Sequence, residues 1–221
     1  MTKVETGAPT PWHALRRWLA ALRRRWLLYH LTDAHFAFMV DPPPAGEWVA
    51  LDCETTGLDV HRDRIIAIGA VRIVGNRLLT SQRLELLVRP ERSLAVAGMR
   101  VHQLRERDVA QGMAPEQAMR LLLEFIGSRP LVGYYLEFDV AMINREIRPM
   151  IGVGLPQTKI EVSALYYDFK NRQRPAHLRG GTLDLRFATI MRELALPSRE
   201  AHDALNDAVM AGLAFLKLRQ A

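Results

Sequence analysis

Two long strand-like runs in this chain are separated only by a turn. Ile65–Val74 is rich in β-branched residues, Gly75-Asn76 is a turn pair, and Arg77–Val88 alternates between apolar and polar residues. This pattern predicts consecutive antiparallel strands of a meander. The short apolar run Glu47–Thr55 ends in polar residues and predicts a buried strand before them. The middle of the chain is therefore expected to begin with a β-sheet.

Helical and strand patterns alternate after the meander. We expect a helix over Pro115–Ile126, a short buried strand over Leu131–Tyr134, a helix over about Phe138–Met150, and helices from near Thr182 to Leu194 and from Ala204 to Leu218. Strands first, followed by alternating helices and strands, indicate an α/β fold with a mixed sheet. With 221 residues, 49% hydrophobic and 24% charged, the composition is that of one globular domain with an appendage, and it excludes a disordered polymer or a multispan membrane protein.

The first forty residues read as a separate element. Large apolar residues recur there at spacings of three and four, which places them on one helical face: Trp12, Leu15, Leu19, Leu22, Trp26 and Tyr29. This segment carries six Lys/Arg against two acidic residues, so it holds +4 of the chain's net charge of +6. Such a helix packs against the main domain, pairs with itself in a dimer, lies on an anionic membrane surface or docks onto a partner protein. The sequence leaves these alternatives open.

A proline-rich segment separates this extension from the rest of the chain. Residues 41–46 contain three consecutive prolines, which favour an extended, stiff linker. We therefore expect a basic amphipathic helical extension at 1–40, a linker at 41–46 and the main domain at 47–221. No apolar run is long enough to span a membrane, and arginines interrupt every candidate core of a secretory signal. The single cysteine, Cys53, suits a reducing compartment, so the expected location is cytoplasmic.

Acidic residues occur at three places where a strand ends or a helix begins. Asp52 and Glu54 lie two apart on a predicted strand and therefore share a face. Two adjacent carboxylates repel each other, and a hard divalent cation such as Mg²⁺ makes such a pair favourable. Asp139 opens a predicted helix, and His202 and Asp207 lie around the start of the last helix. Each place taken alone is also typical of an ordinary strand end, helix start or surface loop.

Taken together, these residues form a pattern that is more specific than its parts. It runs Asp52-x-Glu54-Thr55-Thr56-Gly57, then Phe138-Asp139, then His202-x-Ala204-x-x-Asp207. In order and spacing it resembles the DEDDh (DnaQ-like) 3′–5′ exonuclease superfamily, which includes the proofreading subunit of bacterial replicative polymerases, RNase T and oligoribonuclease. The resemblance covers roughly Glu47 to Leu218. It implies an RNase H-like mixed β-sheet flanked by helices, here with an N-terminal amphipathic helical extension.

The resemblance also implies roles for five side chains. Four carboxylates would hold two Mg²⁺ or Mn²⁺ ions: Asp52, Glu54, Asp139 and Asp207. Asp52 would bridge both ions, Glu54 and Asp207 would hold the ion that binds the attacking water, and Asp139 would serve the second ion. His202 would take the proton from that water as general base. The product would be a nucleoside 5′-monophosphate released from a 3′ end.

Four positions near these acids are expected to contact the terminal nucleotide: Thr55, Thr56, Leu58 and Tyr135. Thr55 and the backbone around it resemble the family positions that recognise the 3′-OH, and Leu58 falls where an apolar residue commonly packs on the terminal base. Many relatives have a histidine-asparagine pair where this chain has Tyr134-Tyr135. These aromatic rings either stack on a base or fill the core.

The expected substrate is a single-stranded or frayed 3′ end of DNA, because the pocket must admit one splayed nucleotide, as in polymerase proofreading. An exoribonuclease of the RNase T or oligoribonuclease type is the alternative, since no motif reports on contacts to the 2′ position. A non-catalytic nucleic-acid-binding accessory module is a further alternative. A third possibility is a nuclease that the helical extension tethers to a polymerase, to another protein or to a membrane surface. Nothing in the sequence indicates the oligomeric state.

Overall fold

One mixed sheet of five strands organises the part of the chain that the computed structural model describes, residues 11–89, 109–197 and 203–220. The strands are β1 Glu47–Thr55, β2 Ile65–Val74, β3 Arg77–Leu87, β4 Leu131–Gly133 and β5 Lys159–Glu161, in the order β3-β2-β1-β4-β5. The pairs β1/β2 and β2/β3 are antiparallel, and β1/β4 and β4/β5 are parallel. The meander and the mixed sheet that the sequence predicts are therefore confirmed.

Helices cover both faces of this sheet. They are α1 Pro11–His30, α2 Pro115–Ile126, α3 Leu136–Ile151, α4 Val162–Gln173, α5 Phe187–Glu193 and α6 Ala204–Arg219, with 3-10 helices at Ala34–Val40 and Ala176–Leu178. Buried residues of α2 and α3 share one apolar cluster with the sheet, and those of α4, α5 and α6 share another. The result is the expected α/β layering, in which each face of a mostly buried sheet packs against helices.

The central strand β1 distributes its side chains between these two layers. Val49, Leu51 and Cys53 lie in the cluster formed with α2 and α3, whereas Ala50 lies in the cluster formed with α6. Because successive strand residues point to opposite faces, Asp52 and Glu54 continue the face of Ala50. The apolar alternation of β1 therefore directs two carboxylates toward α6 at the carboxyl end of the strand.

Two segments depart from the sequence-based expectation. The helix expected from near Thr182 begins only at Phe187, because the Asp184 carboxylate accepts hydrogen bonds from the backbone N–H of Arg186 at 3.0 Å and from its guanidinium. Such a local side-chain bond competes with helical geometry. Strand β5 and helix α4 were not expected. In α4 only Val162 and Tyr166 are buried, so its sequence carries little apolar periodicity.

Helix α1 forms where the periodicity predicts it, but its apolar stripe faces solvent. The exposed members are Leu15, Leu19, Leu22, Trp26 and Tyr29, with Trp18 exposed beside them. The helix contacts the domain through a different side. Leu27 packs against the core, and Nη2 of Arg23 donates a hydrogen bond to the carbonyl oxygen of Pro156 at 2.8 Å. Packing of the stripe on the main domain, one of the alternatives left open, is therefore not what the structure shows.

The 3-10 helix Ala34–Val40 contributes to the main core. Its Phe36 and Met39 are buried in the cluster that also contains Val49 and Leu51 of β1. The end of the predicted 1–40 extension thus packs with the domain, while the division of the chain at residues 41–46 stays a prediction. None of the helices in the described ranges is long and apolar enough to cross a membrane.

Candidate active site

Three carboxylates from two elements meet at the carboxyl end of β1. Asp52 and Glu54 come from the strand, and Asp207 comes from the first turn of α6. One oxygen of each of these three side chains lies within 4.8 Å of the others. The sequence places Asp207 more than 150 residues after Asp52, and the packing of α6 across the sheet brings them together.

A glycine on the neighbouring strand makes this approach possible. Gly69 of β2 pairs with Asp52 of β1, and it lies directly under the start of α6. A Cβ atom at Gly69 would overlap the backbone of Ala204 and Leu205. The missing side chain therefore allows α6 to begin close to the sheet, one turn before Asp207. Gly69 is not among the residues predicted for the site, although a glycine inside a β-branched run signals close approach of another backbone.

The fourth carboxylate, Asp139, reaches the site from the opposite layer. It lies in the first turn of α3, is only 4% exposed, and accepts a hydrogen bond at Oδ1 from the backbone N–H of Cys53 at 3.2 Å. That amide lies between Asp52 and Glu54 in the chain. The nearby Glu137 is exposed, so Asp139 is the acid in the first turn of α3 that is buried against β1.

A carboxylate that the sequence analysis missed fixes the start of α3. Glu161, at the end of β5, accepts hydrogen bonds from the backbone N–H groups of Tyr135 at 3.2 Å and Leu136 at 3.0 Å. It also caps α4 by accepting from the N–H of Ser163 at 3.0 Å. Tyr135 has a left-handed backbone with φ of 55°, a strained conformation for a residue other than glycine. Glu161 therefore holds the turn that aims Asp139 at β1.

The electrostatics of the cluster show how strongly its charges oppose one another. Burial raises the pKa of Asp52 well above the ordinary value of an aspartate, and the charges of neighbouring carboxylates, Asp139 first, raise it further. Burial also raises the pKa of Asp139, although the Cys53 amide acts in the opposite direction. Carboxylates in this arrangement retain protons unless a positive charge compensates them.

The ligand chemistry of the cluster fits a hard divalent cation. Within the described residues, the group consists of carboxylate oxygens alone, because the thiol of Cys53 lies in the apolar cluster on the other face of β1. Oxygen ligands of this kind suit Mg²⁺ and Mn²⁺. A cation would also offset the repulsion that raises the pKa of Asp52. The residues present therefore fit the metal that the sequence pattern implies.

The four expected nucleotide contacts lie beside the carboxylates in different environments. Thr55 is buried and donates its hydroxyl to the carbonyl oxygen of Gly57 at 2.6 Å. Thr56 donates its hydroxyl to Oδ1 of Asp63 at 2.8 Å, which ties it to the following loop. Leu58 and Tyr135 are 86% and 68% exposed, respectively. Their roles in binding stay predictions.

The tyrosine pair divides between packing and exposure. Tyr134 stacks on Phe187 with ring centroids 4.6 Å apart and donates its hydroxyl to the carbonyl oxygen of Leu185 at 3.0 Å. Tyr135 contacts Tyr134 edge-on and presents the rest of its ring to solvent. The Tyr134 ring therefore packs inside the domain, whereas the Tyr135 ring is exposed and available to a ligand. His202, the expected general base, lies outside the described residues.

Comparison with protein families gives one match that covers most of the chain. The model of the RNase T family, described as an exonuclease, matches residues 49–215. A "DNA polymerase III subunit epsilon-like protein" of Rhodobacter capsulatus is 30% identical over 175 residues, which are 77% of this chain and 23% of that protein. The DNA polymerase III subunit epsilon of Rickettsia conorii is 31% identical over 105 residues, 45% of this chain and 43% of that protein.

Solved structures share the fold at low sequence identity. A zinc-bound complex of E. coli exonuclease I with single-stranded DNA has a TM-score of 0.66 and 14% identity, covering 80% of this chain and 41% of that chain. The cell-death related nuclease CRN-4 has a TM-score of 0.64 and 16% identity, covering 80% of this chain and 64% of that one. These likenesses confirm the RNase H-like fold. This chain thus spans about a quarter of the Rhodobacter protein and less than half of the Rickettsia subunit.

Proposed function

This chain belongs to the RNase T exonuclease family, and from that premise we propose that it is a metal-dependent 3′–5′ exonuclease. It would release nucleoside 5′-monophosphates from single-stranded or frayed 3′ ends of DNA. The observation that carries the proposal is the convergence of Asp52, Glu54 and Asp207, whose oxygens lie within 4.8 Å of one another, with Asp139 fixed beside them by the Cys53 amide. An uncompensated cluster of this kind is costly unless it binds cations.

In this proposal the four carboxylates hold two Mg²⁺ or Mn²⁺ ions. Cations bound there would activate a water for attack on the terminal phosphodiester and would stabilise the leaving 3′ oxygen. Besides burial, the charges of both Asp139 and Asp207 raise the pKa of Asp52, so Asp52 is close to an acid of α3 and an acid of α6, which supports a ligand shared by both ions. Glu54 and Asp207 would hold the ion that binds the attacking water, and Asp139 would serve the second ion. His202 would accept the proton of the attacking water at an imidazole nitrogen.

Several features support a splayed nucleotide as the substrate. Leu58 and Tyr135 are exposed apolar side chains that follow β1 and β4, the strands whose ends carry the site. Exposed aromatic and apolar side chains next to a metal site that would bind the phosphodiester are typical of surfaces on which the bases of a single strand stack. The relatives named as polymerase III epsilon proteins and the single-stranded DNA in the exonuclease I complex favour DNA and a proofreading-type role with a polymerase partner.

The test is a cleavage assay with three substrates. The protein is incubated with 5′-labelled single-stranded DNA, RNA of the same sequence and a mismatched primer-template, in Mg²⁺ and in Mn²⁺. We expect a ladder that shortens from the 3′ end on DNA. Cleavage of the RNA but of neither DNA substrate would show that the protein is an exoribonuclease. Binding of all three substrates without cleavage would identify a non-catalytic module instead.

A pair of isosteric variants tests the site itself. Asp207→Asn removes a charge and little volume, so it should abolish cleavage while the circular dichroism spectrum stays unchanged. Asp203→Asn is the matched control, because Asp203 caps α6 by accepting from the N–H of Asn206 at 2.8 Å and asparagine is an equally good cap. His202→Ala should lower turnover by about 10²–10⁴-fold while metal binding persists. Unchanged turnover in His202→Ala would refute the base assignment.

A further inference from the structure

The exposed stripe of α1 is the largest group of exposed apolar side chains in the described part of the chain. It comprises Leu15, Trp18, Leu19, Leu22, Trp26 and Tyr29, all more than two-fifths exposed. The helix has 20 residues and is therefore about 30 Å long. A continuous apolar strip of this length on a folded protein marks an interaction surface.

Arginines flank the stripe, and the helix offers nothing to neutralise them. Residues 11–30 contain five arginines and no aspartate or glutamate. Arg24 pairs with Asp41 at 3.0 Å, whereas Arg17 and Arg25 extend into solvent without an acidic partner among the described residues. The partner of this surface must therefore supply negative charge as well as apolar contact.

We infer that α1 docks the protein onto the surface of an anionic lipid bilayer. A second copy of α1 is a poor partner, because it would bring arginines against arginines and offers no carboxylate. The stripe carries two tryptophans and a tyrosine, whose rings suit the boundary between headgroups and acyl chains, with arginines at its sides. An amphipathic helix of this composition lies in the plane of the interface. The cytoplasmic leaflet supplies the anionic lipids that such a helix needs.

The position of α1 keeps the candidate active site accessible when the helix is docked. Arg23 donates a hydrogen bond to the carbonyl oxygen of Pro156, which precedes β5, and Leu27 lines a cavity together with Pro130, which precedes β4. The carboxylates lie at the other end of these parallel strands, at the carboxyl end of β1 and in the first turn of α3. Docking through α1 would therefore hold the exonuclease domain at a membrane with its site at the far end of the sheet.

Flotation with lipid vesicles tests the inference on the full chain. Vesicles of phosphatidylcholine alone are compared with vesicles that contain about a third phosphatidylglycerol, a typical anionic surface. We expect co-flotation only with the anionic vesicles, reversal by high salt and a blue shift of tryptophan emission. The shift reports on α1, because Trp18 and Trp26 are exposed, whereas Trp48 already packs on Phe215 with ring centroids 5.3 Å apart.

Two variants separate the apolar and the ionic contributions. Trp18→Ser with Trp26→Ser should abolish binding to anionic vesicles. Arg17→Gln with Arg25→Gln should weaken partitioning about thirtyfold, since each arginine near such a surface contributes about 1 kcal/mol. Arg77→Gln with Arg83→Gln is the matched control, because it removes the same charge from exposed positions on β3 and should bind as wild type does. None of these residues belongs to the candidate active site, so nuclease turnover should be unchanged in all three.

Three results would overturn the inference. Equal binding to both kinds of vesicle would show that anionic lipid is not required. Absence of binding to either kind would show that α1 does not dock on a bilayer. A protein that sediments as a dimer, and becomes monomeric in the Trp18→Ser, Trp26→Ser variant, would identify the stripe as a contact between two copies. The Asp207→Asn variant should float like wild type, so loss of nuclease activity and loss of membrane binding remain distinguishable.

Discussion

The backbone N–H of Cys53 donates a hydrogen bond to Oδ1 of Asp139 at 3.2 Å, between the two acids of β1. This bond connects the layer of α3 to the strand that carries Asp52 and Glu54. The side chain of Cys53 meanwhile lies in the apolar core on the opposite face. One residue thus anchors the strand in the core and orients a carboxylate in the site. The four acids are therefore positioned as one unit, and substitutions among them should not be additive.

Replacing Asp52 with asparagine should stabilise the metal-free protein while it abolishes cleavage. The raised pKa of Asp52 means that its charge is unfavourable in the folded state. Removing this charge should raise the free energy of unfolding in EDTA by on the order of 1 kcal/mol, as is usual for strained functional sites. Urea unfolding with and without Mg²⁺ measures both effects, and Mg²⁺ should stabilise the wild type but not the variant.

The pH dependence of the wild type provides the independent check. The unfolded chain releases the Asp52 proton near the ordinary aspartate pKa of about 4, whereas the folded protein retains it to higher pH. The folded state therefore binds more protons in this interval, and its stability in EDTA should fall as the pH rises from about 4 through the raised pKa. Asp52→Asn should flatten this part of the profile. A variant less stable than wild type in EDTA would contradict the explanation.

Gly69→Ala should lower turnover although it replaces no ionisable group. The added Cβ overlaps the backbone of Ala204, so the start of α6 must move and carry Asp207 away from Asp52. Overpacking of this kind costs about 1–3 kcal/mol, and we expect turnover to fall by at least tenfold with a higher Mg²⁺ requirement. Metal titrations of the cleavage rate measure this shift.

The control for this variant is a glycine replaced in open space. Gly46→Ala introduces strain at a φ of 71° but has no atom within 4 Å of the new Cβ. It should lower the free energy of unfolding by about 1 kcal/mol with unchanged turnover. If both variants lost activity in proportion to stability, the close approach of α6 would not be the reason.

The first strands of the sheet could be predicted because buried strands have apolar and β-branched residues that follow one another in the sequence. The β-branched run Ile65–Val74 and the run Glu47–Thr55 form strands with the predicted bounds, since both bury most of their residues. The segment Ala34–Val40 falls in the predicted extension because the proline-rich residues 41–46 mark the boundary, although six of its seven residues are apolar. Its burial depends on Phe36 and Met39 meeting the cluster around β1, which only tertiary packing defines.

The acids that meet at the candidate site could be predicted from the sequence. The residues that position these acids could not. Asp52, Glu54 and Asp207 could be found because the order of acidic motifs resembles a known family. Gly69 and Glu161 act through backbone atoms of other elements, namely the start of α6 and the start of α3. A sequence motif gives the residue types and their spacing along the chain. It does not show from which distant backbone N–H group a carboxylate accepts a hydrogen bond.

Glu161→Ala should lower turnover through the position of Asp139. The substitution leaves the N–H groups of Tyr135 and Leu136 without their acceptor, and loss of such a cap costs about 0.5–2 kcal/mol. We expect a lower kcat and a higher Mg²⁺ requirement, with a smaller rise in KM for DNA than Tyr135→Ala gives, because the Tyr135 ring is kept although its backbone loses an acceptor. Glu161→Gln should recover part of the rate, because its amide oxygen can still accept one of these bonds.

A neighbouring acid provides the comparison for Glu161. Glu137 lies in the first turn of α3 and is exposed, so Glu137→Ala removes a charge close to Asp139 without removing a cap. Its Mg²⁺ requirement should match that of the wild type. An equal loss in Glu137→Ala and Glu161→Ala would indicate a general effect of negative charge near α3 instead of positioning.

Tyr135→Ala should weaken substrate binding more than chemistry. The exposed ring of Tyr135 lies next to Asp139 in the chain, and stacking of a base on such a ring contributes about 1–3 kcal/mol. KM for short single-stranded DNA should therefore rise by about 5–150-fold with a small change in kcat, and Tyr135→Phe should behave as wild type because only the ring face is used.

Tyr134→Phe should instead lower stability, since it removes the hydrogen bond to the carbonyl oxygen of Leu185 and leaves the exposed ring intact. A rise in KM for Tyr134→Phe but not for Tyr135→Ala would reverse the assignment of the two rings.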